Sequence, residues 1–355
     1  MVWGLAGQLA QPLFKPKEYA SSQEVKWCPG CGDYAVMNAV QRAFSELGLK
    51  KEEVAIISGI GCSSRFPYYM DTYGFHTIHG RPAAVATGVK LANRDLRVWV
   101  MAGDGDSLAI GGNHFIHAVR RNVDMNFILF NNQIYGLTKG QYSPTTERGT
   151  ITKSSPFGTV ENPFSVGELV LGAQGRFFAR VPDTDVKLMA KVMVEAEKHQ
   201  GLSVVEVLQN CVIFNDEVFD AITSKETRAD NQLILEHGKP MRFGANNDKG
   251  IRLRGLELEV VTLGQNGITE ADLLVHDATC ASNVLHHLLA QMRLPDFPIA
   301  MGVIRSTAGP VFDADLAAQM KAEQERSKYA SLDALFLSGN TFTIQPGTDK
   351  PDGTT

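Results

Sequence analysis

Apolar residues recur at helical spacing over 33–48, where Val36, Met37, Val40, Phe44 and Leu47 share one stripe and Gly48 supplies a stop. Residues 54–58 form a short apolar run that enters Gly59-Ile60-Gly61-Cys62, the pattern of a buried strand opening into a glycine-rich loop. A helix is expected from about Arg81-Pro82 to Asn93, with proline tolerated in its first turn. The run 97–102 reads as a strand broken by Gly103-Asp104-Gly105-Asp106, and 108–121 as a helix. Residues 126–130 read as a strand ending at Asn131-Asn132, 185–199 as a helix and 203–208 as a further strand. Strands alternating with helices predict an α/β fold, a parallel sheet with helices on both faces. In such sheets ligands collect at the carboxyl ends of strands. The loops around Cys62, Asp104 and Asn132 each follow a predicted strand.

The pattern lapses over 142–164, which reads as a long loop of the kind that is usually functional or mobile. From 216 to 257 the chain is polar and weakly periodic, 279–292 is helical in pattern, and the tail after Gly339 is expected to fray. With 355 residues, 44% of them hydrophobic, the chain can bury a large core. A net charge of −5 gives no electrostatic reason for a nucleic-acid partner, and no basic run points to an anionic membrane. Residues 1–20 lack a secretory pattern and no run is long enough to span a bilayer, so the cytoplasm is the expected location.

Asp104, set between two glycines at a strand end, lets backbone approach a diphosphate closely and offers a carboxylate to Mg²⁺, which takes few protein ligands beside phosphate oxygens. Asn132, about 28 residues on at the end of the next strand, can add a second oxygen. Either motif alone reads as an ordinary turn. Together, in order, they resemble the signature of thiamine diphosphate enzymes. That resemblance implies Mg²⁺ ligation by Asp104, the Asn132 side chain and the Ile134 carbonyl, with Gly105, Asp106, Gly136 and Leu137 against the cofactor.

Five cysteines in a long chain with no secretory pattern argue against disulfides. The spacing of Cys28-Pro29-Gly30-Cys31 suits two thiolates on one metal centre; by residues alone zinc, an iron–sulfur cluster and a redox dithiol all remain open. The surrounding motifs narrow the choice. Trp27-Cys28-Pro29-Gly30-Cys31-Gly32, Gly59-Ile60-Gly61-Cys62-Ser63-Ser64-Arg65, His79-Gly80-Arg81, Gly111-Gly112-Asn113-His114 and Tyr135-Gly136-Leu137-Thr138-Lys139-Gly140-Gln141 resemble the beta subunits of 2-oxoacid:ferredoxin oxidoreductases. The likeness runs over roughly residues 24–220.

It implies one [4Fe–4S] cluster on Cys28, Cys31, Cys62 and Cys211, with Cys280 a free thiol. It places Ile60, Gly61, Cys62, Ser63 and His79 at the cofactor. It implies oxidative decarboxylation of a 2-oxoacid to an acyl-CoA, or the reverse, with single electrons passed to ferredoxin. Lys139 resembles the lysine of members that use 2-oxoglutarate, where it would meet the distal carboxylate; a pyruvate or broad-range enzyme is the alternative. No stretch plainly provides the glutamate that thiamine enzymes set on the aminopyrimidine, and in this family it comes from an alpha subunit, so a heterodimer or a dimer of heterodimers is expected. The implied organisation is a thiamine diphosphate-binding, pyrophosphate-type domain over 1–220. A C-terminal extension over 221–355 would pack on the same domain or on the partner. The rivals are a non-redox thiamine enzyme with zinc at its cysteines and a purely structural zinc-binding subunit.

Overall fold

A computed structural model of the chain describes residues 13–344. Residues 1–12 of the segment read for a leader, and 345–355 of the tail expected to fray, lie outside the described residues. Eleven strands are described: β1 Val54–Ser58, β2 Tyr73–His76, β3 Arg97–Gly103, β4 Met125–Asn131, β5 Phe177–Pro182, β6 Leu202–Leu208, β7 Gln232–Ile234, β8 Arg242–Phe243, β9 Lys249–Arg254, β10 Glu257–Thr262 and β11 Ile299–Ser306. Eight form one sheet in the order β2-β1-β3-β4-β6-β5-β11-β7, and β10-β9-β8 form a small antiparallel sheet. Within the large sheet every pairing is parallel except β11 with β5.

The central strands are buried on both faces, which is why they read as continuous apolar runs rather than alternating ones. Successive side chains nonetheless point opposite ways and build two cores. Ile57, Val100, Phe127 and Val204 pack with Ala86, Phe115, Val170 and Leu289 from helices Pro82–Ala92, Gly112–Arg121, Val166–Gly172 and Val284–Gln291. Ile56, Trp99, Phe130 and Val205 pack on the other face with Val40, Phe44, Met189 and Val192 from helices Asp33–Leu47 and Val186–Lys198. The α/β sheet with helices on both faces is the fold the pattern predicted. Gly48 ends the first helix in the left-handed region, φ 65°, with its N–H donating to Phe44 and Ser45 carbonyls.

The expected helix over 108–121 is two pieces. Asp104–Leu108 starts on the aspartate itself, and the chain breaks at Ala109 before Gly112–Arg121 resumes. Seven of the eleven described strands went unread, β5 and β11 of the large sheet among them. β5 carries Arg180 in its middle, and β11 carries Gly302 at φ +96° with a bulge between Val303 and Arg305, so neither shows a clean apolar run. Gly302 has no Cβ because one would stand 3.0 Å from the Leu235 carbonyl. One compact unit runs to Asp313, so residues 221–313 place β7 and β11 in the same sheet as the motifs. A second unit, Ala314–Thr355, holds most of helix Phe312–Arg326 and the short helix Leu332–Phe336, where Ser331 Oγ accepts from Ala334 N. Among the described residues no helix is long and apolar enough to cross a membrane.

Candidate active site

Four neighbouring parallel strands end on the same edge, and each delivers part of one site. β1 leads to Cys62, β3 to Asp104, β4 to Asn132, and β6 to Gln209 and Cys211. Between them lies a cavity of about 450 Å³. Ile60, Gly61, Cys62, Ser63, His79, Asp104, Gly105, Asp106, Asn132, Ile134, Gly136 and Leu137 all line it, so the structure gathers the residues that the sequence assigned to thiamine diphosphate and magnesium. Asp33, Tyr135 and Gln209 line it too and were not foreseen.

Asp104 is 2% exposed, and burial pushes its carboxyl up to about 6, against the pull of hydroxyl donors. Those donors are Ser143 Oγ and Thr145 Oγ1, both 2.5 Å from Oδ2. They come from the loop over 142–164, so that segment is the lid of the carboxylate. Thr145 Oγ1 also lies 2.9 Å from Asn131 Oδ1, while Asn131 Nδ2 donates to Glu206 Oε1 at 2.8 Å and Arg180 Nε donates to Glu206 Oε2 at 2.7 Å. Arg180 and Glu206 face each other across β5 and β6. A buried chain of contacts thus runs from the Arg180 guanidinium to Asp104, and the residue that hid β5 in the sequence is its far end.

Asp106 holds a different part of the wall. Its Oδ1 accepts from Gly80 N at 2.7 Å and Ile60 N at 3.2 Å and meets His79 Nδ1 at 2.7 Å. A carboxylate partner assigns the ring proton to Nδ1 and leaves Nε2 as an acceptor. Burial again raises the Asp106 carboxyl, with these donors opposing. Its Oδ2 is buried without a partner. Gly59 and Gly105 are glycines for reasons of space: a Cβ on Gly59 would stand 1.8 Å from Asp106 Oδ2, and one on Gly105 2.2 Å from the Tyr135 ring.

Cys28, Cys31, Cys62 and Cys211 are free thiols. A Cβ on Gly136 would lie 3.4 Å from Cys211 Sγ and 3.7 Å from Cys62 Sγ, so both sulfurs converge beside Gly136, with Cys62 itself lining the cavity. Burial pushes Cys62 up to about 12, and Asp33, Cys211 and Cys28 add to it; Cys31 is raised in the same way. Gly30, at φ +85°, turns the chain so that Cys31 N donates to the Cys28 carbonyl. Among the described residues no three His, Cys, Asp or Glu side chains close on a point as the ligands of one ion do. Cys280 lies in the C-terminal part, its carbonyl accepting from Arg305.

Lys139 is the expected residue that falls elsewhere. It is exposed, sits at φ +77° in the tight loop Tyr135–Gln141, and lines a neighbouring cavity with Lys153, Ile213 and Asn215. Leu137 and Thr138 of the same loop line the Asp104 cavity; Lys139 does not.

Fold and site together define a thiamine diphosphate enzyme, and residues 59–207 match the family model for the thiamine pyrophosphate enzyme C-terminal TPP-binding domain. The chain is 46% identical over 335 residues to the 2-oxoglutarate oxidoreductase subunit KorB of Mycobacterium tuberculosis, covering 93% of this chain and 88% of that one. It is 46% identical over 185 residues to the 2-oxoglutarate synthase subunit KorB of Archaeoglobus fulgidus, covering 52% of this chain and 69% of that one. A solved 2-oxoglutarate:ferredoxin oxidoreductase from Magnetococcus marinus, with 2-oxoglutarate, coenzyme A and succinyl-CoA bound, superposes with a TM-score of 0.73 at 33% identity, over 92% of this chain and 96% of that one. The chain belongs to the beta subunits of the 2-oxoacid:ferredoxin oxidoreductases, and its full-length likeness is to members acting on 2-oxoglutarate.

Proposed function

We propose that this chain is the cofactor-bearing half of a 2-oxoglutarate:ferredoxin oxidoreductase, forming succinyl-CoA and CO₂ and passing electrons through a [4Fe–4S] cluster to ferredoxin, or running in reverse. The observation that carries this is the convergence of Cys62, Asp104, Asn132 and Cys211 at the ends of four adjacent parallel strands. Asp104, the Asn132 oxygen and the Ile134 carbonyl would hold Mg²⁺ on the diphosphate. The residues fit: hydroxyls occupy only one oxygen of Asp104, and glycines at 59 and 105 keep the walls thin. Bound thiamine diphosphate supplies the carbanion that activates the 2-oxo carbon. His79, fixed by Asp106, presents Nε2 as an acceptor at the wall, and the unpartnered Asp106 Oδ2 offers a second.

Cys28, Cys31, Cys62 and Cys211 would ligate the cluster, with coenzyme A taking the acyl group. An alpha partner completes the site. The edge strand β2 and its surroundings expose Tyr68, Tyr73, Phe75 and Ile78, each at least half accessible, and such contiguous apolar surface beside a cofactor site fits a subunit interface. Lys139 would meet the distal carboxylate of the dicarboxylic substrate from its neighbouring cavity, which shares Ile134 with the Asp104 site. The test is anaerobic co-purification with the alpha subunit, iron analysis and ferredoxin reduction across several 2-oxoacids. A colourless zinc-bearing complex, or one that decarboxylates without reducing ferredoxin, would refute the reading.

A further inference from the structure

Gln209 belongs to neither ligand set, yet its side chain touches both. It follows β6, is 1% exposed, and lines the cavity. Its Oε1 accepts from Asn132 Nδ2 at 2.8 Å, while Nε2 donates to the Asn210 carbonyl at 2.6 Å and to Cys31 Sγ at 3.4 Å. These contacts fix the amide. Turned over, its oxygen would face a carbonyl and a sulfur, and its nitrogen would face the Asn132 N–H. The same logic passes on to Asn132: with Nδ2 committed to Gln209, Oδ1 is the atom left on the Ile134 side, where Ile134 N donates to it at 3.2 Å. Gly32 leaves room here for two side chains, since a Cβ on it would stand 2.0 Å from Asp183 Oδ2 and 2.9 Å from Gln209 Cγ. Gly32 N in turn donates to the Asn210 carbonyl at 3.3 Å, so the Cys28–Cys31 turn grips the acceptor that orients the glutamine.

We propose that Gln209 is a positioning residue shared by the two cofactor sites: it turns the Asn132 oxygen toward the cation and lends an N–H to the Cys31 sulfur. The proposal rests on the magnesium and cluster assignments above. Partners that orient metal ligands carry about 10- to 100-fold in metal affinity, and hydrogen bonds to ligand sulfurs help set a cluster's potential. A donor to the thiolate disperses negative charge and favours the reduced cluster.

The experiment uses the alpha–beta complex with Gln209→Leu, which deletes both bonds, and the near-isosteric Gln209→Glu, which turns donors into acceptors. Mn²⁺ affinity in the presence of thiamine diphosphate, read by the electron paramagnetic resonance of free Mn²⁺, should weaken about 10- to 100-fold in Gln209→Leu and hold near wild type in Gln209→Glu, whose Oε1 still accepts from Asn132 Nδ2. The midpoint potential of the cluster should fall, by about 59 mV for each tenfold change in its one-electron equilibrium, and further in Gln209→Glu. Where Gln209→Leu lacks iron, its Mn²⁺ affinity is compared with that of the iron-stripped wild type, and parity there overturns the proposal. Wild-type affinity and potential in iron-replete variants overturn it as well. A wild-type complex that binds neither Mn²⁺ nor iron overturns the cofactor assignments themselves.

Discussion

Thr145→Val replaces a hydroxyl with a methyl group of nearly the same shape and removes one of the two donors to Asp104 Oδ2. A hydrogen bond to a charged group is worth about 1.5–3 kcal/mol, but the cation-free protein does not feel all of it. Burial already raises the Asp104 carboxyl to about 6, so near neutral pH it can escape the loss by taking a proton at a cost of about 1 kcal/mol. With a divalent cation bound that escape is closed, since the ligand must be ionised. The cation-free fold should therefore lose only about 1 kcal/mol. Affinity for Mg²⁺ with thiamine diphosphate should fall roughly 10- to 100-fold. Calorimetric titration of the alpha–beta complex and urea unfolding measure the two sides. Thr145→Ser, which keeps the hydroxyl, should restore the affinity. An affinity within twofold of wild type in Thr145→Val would refute the reasoning, as would a loss of cation-free stability as large as about 3 kcal/mol, the full worth of a charged hydrogen bond.

Gly59→Ala places a methyl group on Asp106 Oδ2 and should cost about 1–3 kcal/mol of stability; loss of thiamine diphosphate binding follows as Asp106 releases His79, and an unchanged melting temperature would contradict it. Lys139→Ala should raise the KM for 2-oxoglutarate far more than for pyruvate, and equal effects would remove Lys139 from substrate selection. Glu197 is held up to about 7, mainly by burial, with Arg97 opposing. Its folded value lies above its unfolded one, so stability present below about pH 4.5 is lost as pH rises to 7, a total of about 3 kcal/mol. Glu197→Gln should remove that loss, so its advantage in urea unfolding grows from pH 5 to pH 8; a difference that stays constant with pH would exclude this origin.

The sequence made the sheet legible where burial was simple. β1, β3, β4 and β6 each carry a run of apolar residues, and their neighbouring glycines and asparagines mark the strand ends that carry the site. It failed where a buried charge is paired across strands. Arg180 reads as a surface residue until Glu206 is seen opposite it on β6, and nothing local announces a partner 26 residues away. The long loop over 142–164 was read as irregular, which it is. That its Ser143 and Thr145 cap Asp104 depends on how the chain returns over the sheet, a relation no spacing encodes. Gln209 escaped notice because a glutamine has no distinctive spacing; only its two unlike neighbours give it meaning. Lys139 shows the converse. Its motif is plain in the sequence, but the left-handed turn at φ +77° directs it to a neighbouring cavity beside Lys153.

Gly136 gives the site a property that none of its polar groups supplies. It lines the cavity on one side, and the space beside its Cα abuts the sulfurs of Cys62 and Cys211 on the other. On the proposed reading, the chemistry and the electron exit meet at this backbone, with Cys62 reaching the cavity itself. Tunnelling rates decay steeply with distance, so a side chain inserted here would act as insulation, slowing the redox half of the reaction while leaving decarboxylation intact. A glycine at this single position is then part of what keeps the path from chemistry to electron exit short.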